Sequence, residues 1–314
     1  MTNYKRSLKI IFIFCLLFQI CNLLLPTTAK AQSALGLSAI PPRLEIIVNP
    51  GQVKTAQLKV RNESSTPKIL TTTVHDFIVT DNAGTPIQLE DITESENRWA
   101  AGSWIQVSPT VSKIKAGETK NLTITILAPT NATPGGHYAM VLHTPETTAV
   151  LDSSGAAIQT NVGTLVYITI PGDITQNAQV KKFTAPKFSE FGPINLETII
   201  TNLSDIHISP IGAISITNWF GQKTATLPLE KINIFPYTSR TFQNILNRKW
   251  LFGRYQAQLN AAYGTSGQAL RATTFFWVIP WRLIVLSLAA ITITMILIKL
   301  IKNKRNKQNE TKKQ

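Results

Sequence analysis

Cysteine is nearly absent. The chain of 314 residues has two, Cys15 and Cys21, both inside one apolar run near the start. No small-residue lipobox precedes either, so lipidation is excluded. Past that run no thiol remains for a disulfide, a nucleophile or a thiolate metal site. Histidine is equally scarce, with His75, His137, His143 and His207 as the full set. His137 and His143 are six residues apart on one expected strand, which puts them about 20 Å apart at strand rise and rules out one shared metal. Walker loops, calcium loops and G-x-S-x-G elbows are missing, so no cofactor and no catalysis are expected. Helical periodicity is confined to the two ends. An acidic excess is missing as well, with a formal net charge of +14.

That charge is unevenly placed. Lys5, Arg6 and Lys9 precede "IIFIFCLLFQICNLLL", and "AKA" at 29–31 follows. This is the pattern of a cleaved secretory signal over 1–31, with an uncleaved anchor as the runner-up. Near the other end "LIVLSLAAITITMILIKLI" covers 283–301. Its length of roughly 28 Å at helical rise suits a membrane crossing. Trp277 and Trp281 stand just before it as interface anchors, and "KNKRNKQNETKKQ" follows as a basic tail expected to stay cytoplasmic. Between these segments, residues 32–280 hold 19 Lys/Arg against 16 Asp/Glu. The basic balance is therefore a topology signal, and nucleic acid is not an expected partner.

What fills residues 32–280 is period-two alternation. Expected strands include "TAQLKVRN", "ILTTTVHDFIV", "NLTITILAP", "GHYAMVLHTP" and "VGTLVYITIP", then "INLETIITN", "SRTFQNIL" and "GRYQAQLNAAYG". Turn clusters such as "NPGQ", "DNAGTP" and "KAGET" separate them. The fold class is all-β: two tandem immunoglobulin-like antiparallel β-sandwiches plus one C-terminal transmembrane helix. The first sandwich is placed at 32–172 and the second at 173–280, followed by the helix at 281–301 and the tail at 302–314.

Two signatures recur in the same order. "VRNESS" at Val60 has a counterpart in "ITNLSD" at Ile200, and "PGGHYAMVLH" at Pro134 has one in "LFGRYQAQLN" at Leu251. A glycine pair followed by histidine can be a ligand loop or backbone punctuation. Repetition with Arg254 in place of His137 favours punctuation. Gly136 and Gly253 are expected to hold positive φ, and Tyr138 and Tyr255 to act as tyrosine corners.

Aromatics are the remaining binding candidates. Trp99 and Trp104 flank a loop in "RWAAGSW", and Trp219 with Phe220 stands at a hairpin tip in "TNWFGQK". Trp104 begins an alternating strand and is expected in the core. Trp99, Trp219 and Phe220 are candidate ligand or partner contacts, with core plugging as the other reading. The N-x-S/T triplets at Asn62, Asn121, Asn131 and Asn202 are expected chance matches in a chain rich in Asn and Thr.

The run "PPRLEIIVNPGQVKTAQLKVRN", with "KAGETKNLTITILAPTNATPGGHYAMVL", resembles the N-terminal domain of WxL-interacting cell-surface proteins. The similarity covers roughly 38–145 and extends to the order of signal, two β domains, anchor and basic tail. It implies a surface protein that binds cell-wall peptidoglycan or surface proteins. The W-x-L at Trp281–Leu283 is read as interface anchoring. An assembly chaperone or adhesin that accepts a strand at an open sheet edge is the alternative function.

Overall fold

The computed structural model describes residues 36–89, 97–146, 150–151, 157–158 and 161–311. The expected signal at 1–31 lies outside the described residues, as do residues 90–96. The described residues are β-strands and loops apart from one short 3-10 turn at Gly102–Trp104 and one long C-terminal helix. Its strands form two immunoglobulin-like sandwiches in series.

The first half contains β1 (Leu37–Ile40), β2 (Arg43–Ile47), β3 (Val53–Asn62), β4 (Lys68–His75), β5 (Phe77–Val79), β6 (Pro86–Gln88), β7 (Ile105–Ser108), β8 (Val111–Ile114), β9 (Thr119–Leu127), β10 (Gly135–Pro145), β11 (Val150–Leu151), β12 (Ala157–Ile158) and β13 (Val162–Ile170). One sheet has the order β1-β3-β9-β7 and faces a second of order β2-β13-β10-β4-β8. Alternation places Leu122, Ile124 and Ile126 of β9 in the core between them, with Leu58, Val60, Val141, Val166 and Ile168. The run "ILTTTVHDFIV" breaks at Asp76. Its Oδ1 accepts hydrogen bonds from the N–H groups of Ala101 (2.8 Å) and Gly102 (2.7 Å), which ends β4 before β5 begins.

The second half contains β14 (Ala178–Thr184), β15 (Phe188–Ser189), β16 (Ile194–Asn202), β17 (Ile211–Asn218), β18 (Lys223–Pro228), β19 (Ser239–Leu246), β20 (Gly253–Tyr263) and β21 (Gln268–Val278). Its sheets have the orders β14-β16-β19 and β15-β21-β20-β17-β18, around a core that includes Ile194, Leu196, Ile214, Leu259 and Phe276. The helix α1 (Trp281–Thr311) follows two residues later. Its stretch Trp281–Leu300 is long and apolar enough to cross a membrane, and none of it is buried against the sandwiches. The backbone stays helical through the basic residues expected as a separate tail.

The sheets are antiparallel except at two edge pairings. β2 runs parallel to β13, and β15 runs parallel to β21. Each half opens with a strand on one sheet, antiparallel to its neighbour, and then crosses at its next strand to the opposite sheet. The paired signatures are explained by shared geometry. Asn62 and Asn202 are both fully buried. Asn62 Nδ2 donates to the carbonyls of Thr66 and Lys115 while its Oδ1 accepts from Ser64 N–H. Asn202 Nδ2 donates to Ile206 and Ile234 while its Oδ1 accepts from Ser204 N–H. Each asparagine stitches the turn after the third strand of its half to a neighbouring loop.

Candidate interaction sites

Three places bring together exposed or unsatisfied features. The first is the junction between the halves. β10 loses its alternation, and every residue from Gly135 to Val141 is buried. Ala139 and Val141 face the sandwich core. Tyr138 and Met140 face the other way, into a cluster with Phe77, Tyr167 and the second half's Phe235. The rings meet edge to face, with Tyr138 at 5.0 Å from Phe235 and 5.3 Å from Tyr167. The Tyr138 hydroxyl accepts the His207 backbone N–H at 2.8 Å and lies 3.1 Å from His207 Nδ1, to which it donates when the neutral ring carries its proton on Nε2. Gly136 N–H donates to the Asp205 carbonyl, and Thr241 N–H donates to Asn82. Arg98 pairs with Asp205 at 3.0 Å.

This geometry corrects the expected corner at Gly136 and Tyr138. Positive φ falls on Gly135, at 131°, while Gly136 is not among the positive-φ glycines. A Cβ at Gly135 would meet the Asp205 carbonyl at 2.6 Å, and one at Gly136 would meet the Tyr138 hydroxyl at 2.1 Å. Gly135 is imposed by close approach of the second half, and Gly136 by the ring and hydroxyl of Tyr138 on its own strand. Tyr138 is drawn across the junction to a residue 69 positions away. In the second half Gly253 has φ 98°, and the Tyr255 hydroxyl accepts Phe252 N–H at 3.2 Å, three residues upstream.

Trp99 sits on the rim of a groove of about 280 Å³ at the junction, together with Ile78, Phe235 and Tyr237. Tyr237 lies 5.8 Å from Trp99, and its φ of 55° is the only left-handed non-glycine backbone among the described residues. Arg98 lies 5.3 Å over the Trp99 ring. Trp104 is buried 4.4 Å from the His137 ring, and His137 Nε2 donates to the Thr133 carbonyl at 2.9 Å. His143 bonds Thr72 at 2.9 Å through Nδ1. Burial lowers the pKa of His143 to about 4. Burial also lowers His207 to about 4, with Glu45 raising it less and Arg43 lowering it slightly. Tyr167 is pushed up to about 12 by burial. Among the described residues no group of three His, Cys, Asp or Glu could hold a metal.

The second place is the flank formed by β2 and β3. β9 pairs with β3 from Val53 to Arg61 on one side. On the other side β1 covers only Lys59–Asn62, so among the described residues Val53–Leu58 keeps one edge unpaired. The ladder sets which groups face that edge. Asn62 N–H bonds Glu118, and Ala128 N–H bonds the Gln52 carbonyl, so even-numbered residues of β3 bond β9. Thr55 and Gln57 therefore present N–H and C=O outward. Opposite, β2 is the edge strand of its own sheet. Leu44, Ile46 and Ala56 are half-buried between the two edges and touch the core. Lys54 Nζ donates to the Ile47 carbonyl and closes the flank at one end. In the second half β14 covers β16 from Glu197 to Asn202, leaving only Ile194–Leu196.

The third place is the anchor-side end of the second half. Trp219 and Phe220 are 63% and 72% exposed, with their rings 4.6 Å apart. They follow Asn218, which pairs with Tyr255, and Gly253 pairs with Val278 just before the helix. The hairpin tip expected to carry a ligand therefore stands beside the start of α1. Trp277 and Trp281 are half-exposed at that end too.

No family model and no curated protein matches the chain. The resemblance to WxL-interacting proteins thus rests on the quoted motifs alone. Solved structures resembling the chain include the YadV chaperone, at 12% identity and TM-score 0.38, covering 77% of this chain and 100% of that one. The class 5 fimbriae chaperone CfaA aligns at 14% identity and TM-score 0.37, over 76% of this chain and 98% of its own. The E. coli chaperone DraB aligns at 13% identity and TM-score 0.36, over 76% and 98%. Likeness at this distance assigns no function.

Proposed function

We propose that this chain is a non-catalytic envelope protein, held in the membrane by α1 with both sandwiches outside, that binds an extended segment of a partner protein at the β2/β3 flank. The supporting observation is that, among the described residues, the edge of Val53–Leu58 is unpaired, with outward backbone groups at Thr55 and Gln57. An incoming strand laid along it would continue the line of β1 and hydrogen-bond to those groups. Its alternate side chains would cover Leu44, Ile46 and Ala56. The second half, whose equivalent edge is nearly covered by β14, lacks such a stretch. Lys54 at the end of the flank limits indiscriminate edge pairing. The early apolar run and the basic residues after the span support the outside placement.

The test uses the full chain in detergent or nanodiscs against short peptides alternating Val and Thr, and against purified cell-wall sacculi. Thr55→Pro removes an outward N–H without touching the β9 ladder, and proline is tolerated on edge strands. Peptide binding that is lost in Thr55→Pro at unchanged melting temperature is the expected result. Retention on sacculi with no peptide binding would replace this reading by glycan binding.

A further inference from the structure

The two ends of the second half treat aromatic residues differently. At the junction Phe235 is buried among other rings. At the anchor-side end large aromatics are left uncovered on three separate loops. Besides Trp219 and Phe220, the turn before β20 exposes Trp250 at 68% and Phe252 at 62%. Phe188 in β15 is also exposed, and Phe191 lies 5.3 Å from Trp250.

Register places all three loops at one level. Phe188 pairs with Trp277, and Gly192 N–H donates to the Lys249 carbonyl. Gly253, directly after the exposed turn, pairs with Val278. Asn218, directly before Trp219, pairs with Tyr255, two positions further from the helix. All therefore lie within about 7 Å, measured along β21, of its last residue. The helix begins at Trp281 and does not fold back, since its side chains are exposed throughout Trp281–Leu300.

Charge follows the aromatics. The segments 185–193, 219–223, 247–254 and 279–282 hold Lys187, Lys223, Arg248, Lys249, Arg254 and Arg282, against one acid, Glu190. Glu190 is paired with Arg282 at 3.4 Å. Arg254 lies 4.2 Å over the Phe275 ring, Lys249 lies 5.9 Å over Trp250, and Arg282 lies 5.6 Å over Trp281. Indole and phenyl rings interleaved with cations match the boundary between headgroups and acyl chains, where rings sit at the glycerol level and cations reach outward to phosphate.

We infer that the anchor-side loops of the second half bed into the outer lipid interface, so that Trp219, Phe220, Trp250 and Phe252 are membrane contacts and the sandwich is seated on the bilayer. This rests on α1 spanning the membrane. It assigns Trp219 and Phe220 to lipid, where the sequence reading placed a ligand or partner. The occupant is a lipid surface because the uncovered rings surround the point at which the chain itself enters the apolar phase. The cations around that point favour anionic headgroups.

The test uses the full chain with Cys15→Ser and Cys21→Ser, reconstituted in phosphatidylcholine/phosphatidylglycerol vesicles. Phe220→Cys, Trp250→Cys, Leu288→Cys and Val111→Cys are each labelled with the NBD fluorophore. Nitroxide lipids labelled near the headgroup should quench the probes at 220 and 250 at least about twofold more than the probe at 111, as expected for rings at the interface. A deep nitroxide should quench the probe at 288. Aqueous emission at 220 and 250 with quenching at 288 would overturn the seating while leaving the span intact. Aqueous emission at all three would overturn the span and the seating with it. A blue shift at 220 without lipid quenching would mean a protein contact and would also overturn the proposal.

Discussion

The two Gly-x-Tyr corners start from the same local sequence and end in different places. In the second half the tyrosine hydroxyl closes on a backbone N–H three residues upstream, and its glycine is required only for φ. A Cβ on Gly253 would find Trp219 no closer than 3.7 Å. In the first half the hydroxyl leaves its own turn and captures His207. There Gly135 is required because the Asp205 carbonyl of the second half lies against it, and Gly136 because the Tyr138 side chain does. A repeated motif thus became a local corner in one copy and a fastener between halves in the other.

Acid should separate the two corners most strongly. His143 and His207 have folded pKa values of about 4, below the ordinary 6.5. The unfolded chain therefore takes up protons first. Their contribution is complete above pH 6.5 and is lost as pH falls toward 4, with each group worth no more than about 3 kcal/mol. His143 lies in the first half and His207 at the junction. Near-UV circular dichroism is expected to show Tyr138 and Tyr167 losing their fixed environment between pH 6.5 and 4 while the stacked Tyr255–Phe276 pair keeps its own. Simultaneous loss of both signals would count against the fastener.

Next in size is the glycine pair. Gly136→Ala drives a methyl into the Tyr138 hydroxyl, whose ring is held by its aromatic neighbours, and should destabilise by about 2–4 kcal/mol. Gly253→Ala makes only ordinary van der Waals contact with Trp219 and should cost about 1–2 kcal/mol from backbone strain alone. Urea melts of the full chain compare them. Equal losses would mean that Tyr138 can step aside.

The smallest difference is in the hydroxyls. Tyr138→Phe leaves the half-buried His207 N–H without its acceptor and should cost about 1–3 kcal/mol. Tyr255→Phe gives up one longer bond and should cost about 0.5–1 kcal/mol. Hydrogen exchange at the His207 amide should accelerate in the first variant alone.

The strands, the duplication and the single apolar helix were legible because period-two alternation and turn residues encode them locally. So was burial of Trp104. The destination of Tyr138 was not legible, since a Gly-x-Tyr signature carries no record of a partner 69 residues on. One signal was present: "HYAMVLH" is apolar without alternation, the mark of a strand covered on both faces. The glycine pair misled for a related reason, because adjacent glycines do not say which takes positive φ and which gives way to a neighbour. The parallel pairings of β2 and β15 depend on sheet crossings invisible in either strand. The location of Trp219 and Phe220 required the register of β17 on β20 and of β20 on β21, which fixes the end of the sandwich to which a hairpin tip belongs.

Between the last strand and the helix lie only Ile279 and Pro280. Ile279 N–H is tied to the Ser189 carbonyl, and the ring of Pro280 fixes its own φ. A hinge needs freely turning bonds, and this joint has almost none. Helix and second sandwich therefore form a stiff lever, and the junction fastener extends it to the first. Any tilt of the helix is carried outward as a sweep of the β2/β3 flank, and any pull on a strand held there returns to the helix as a bending moment.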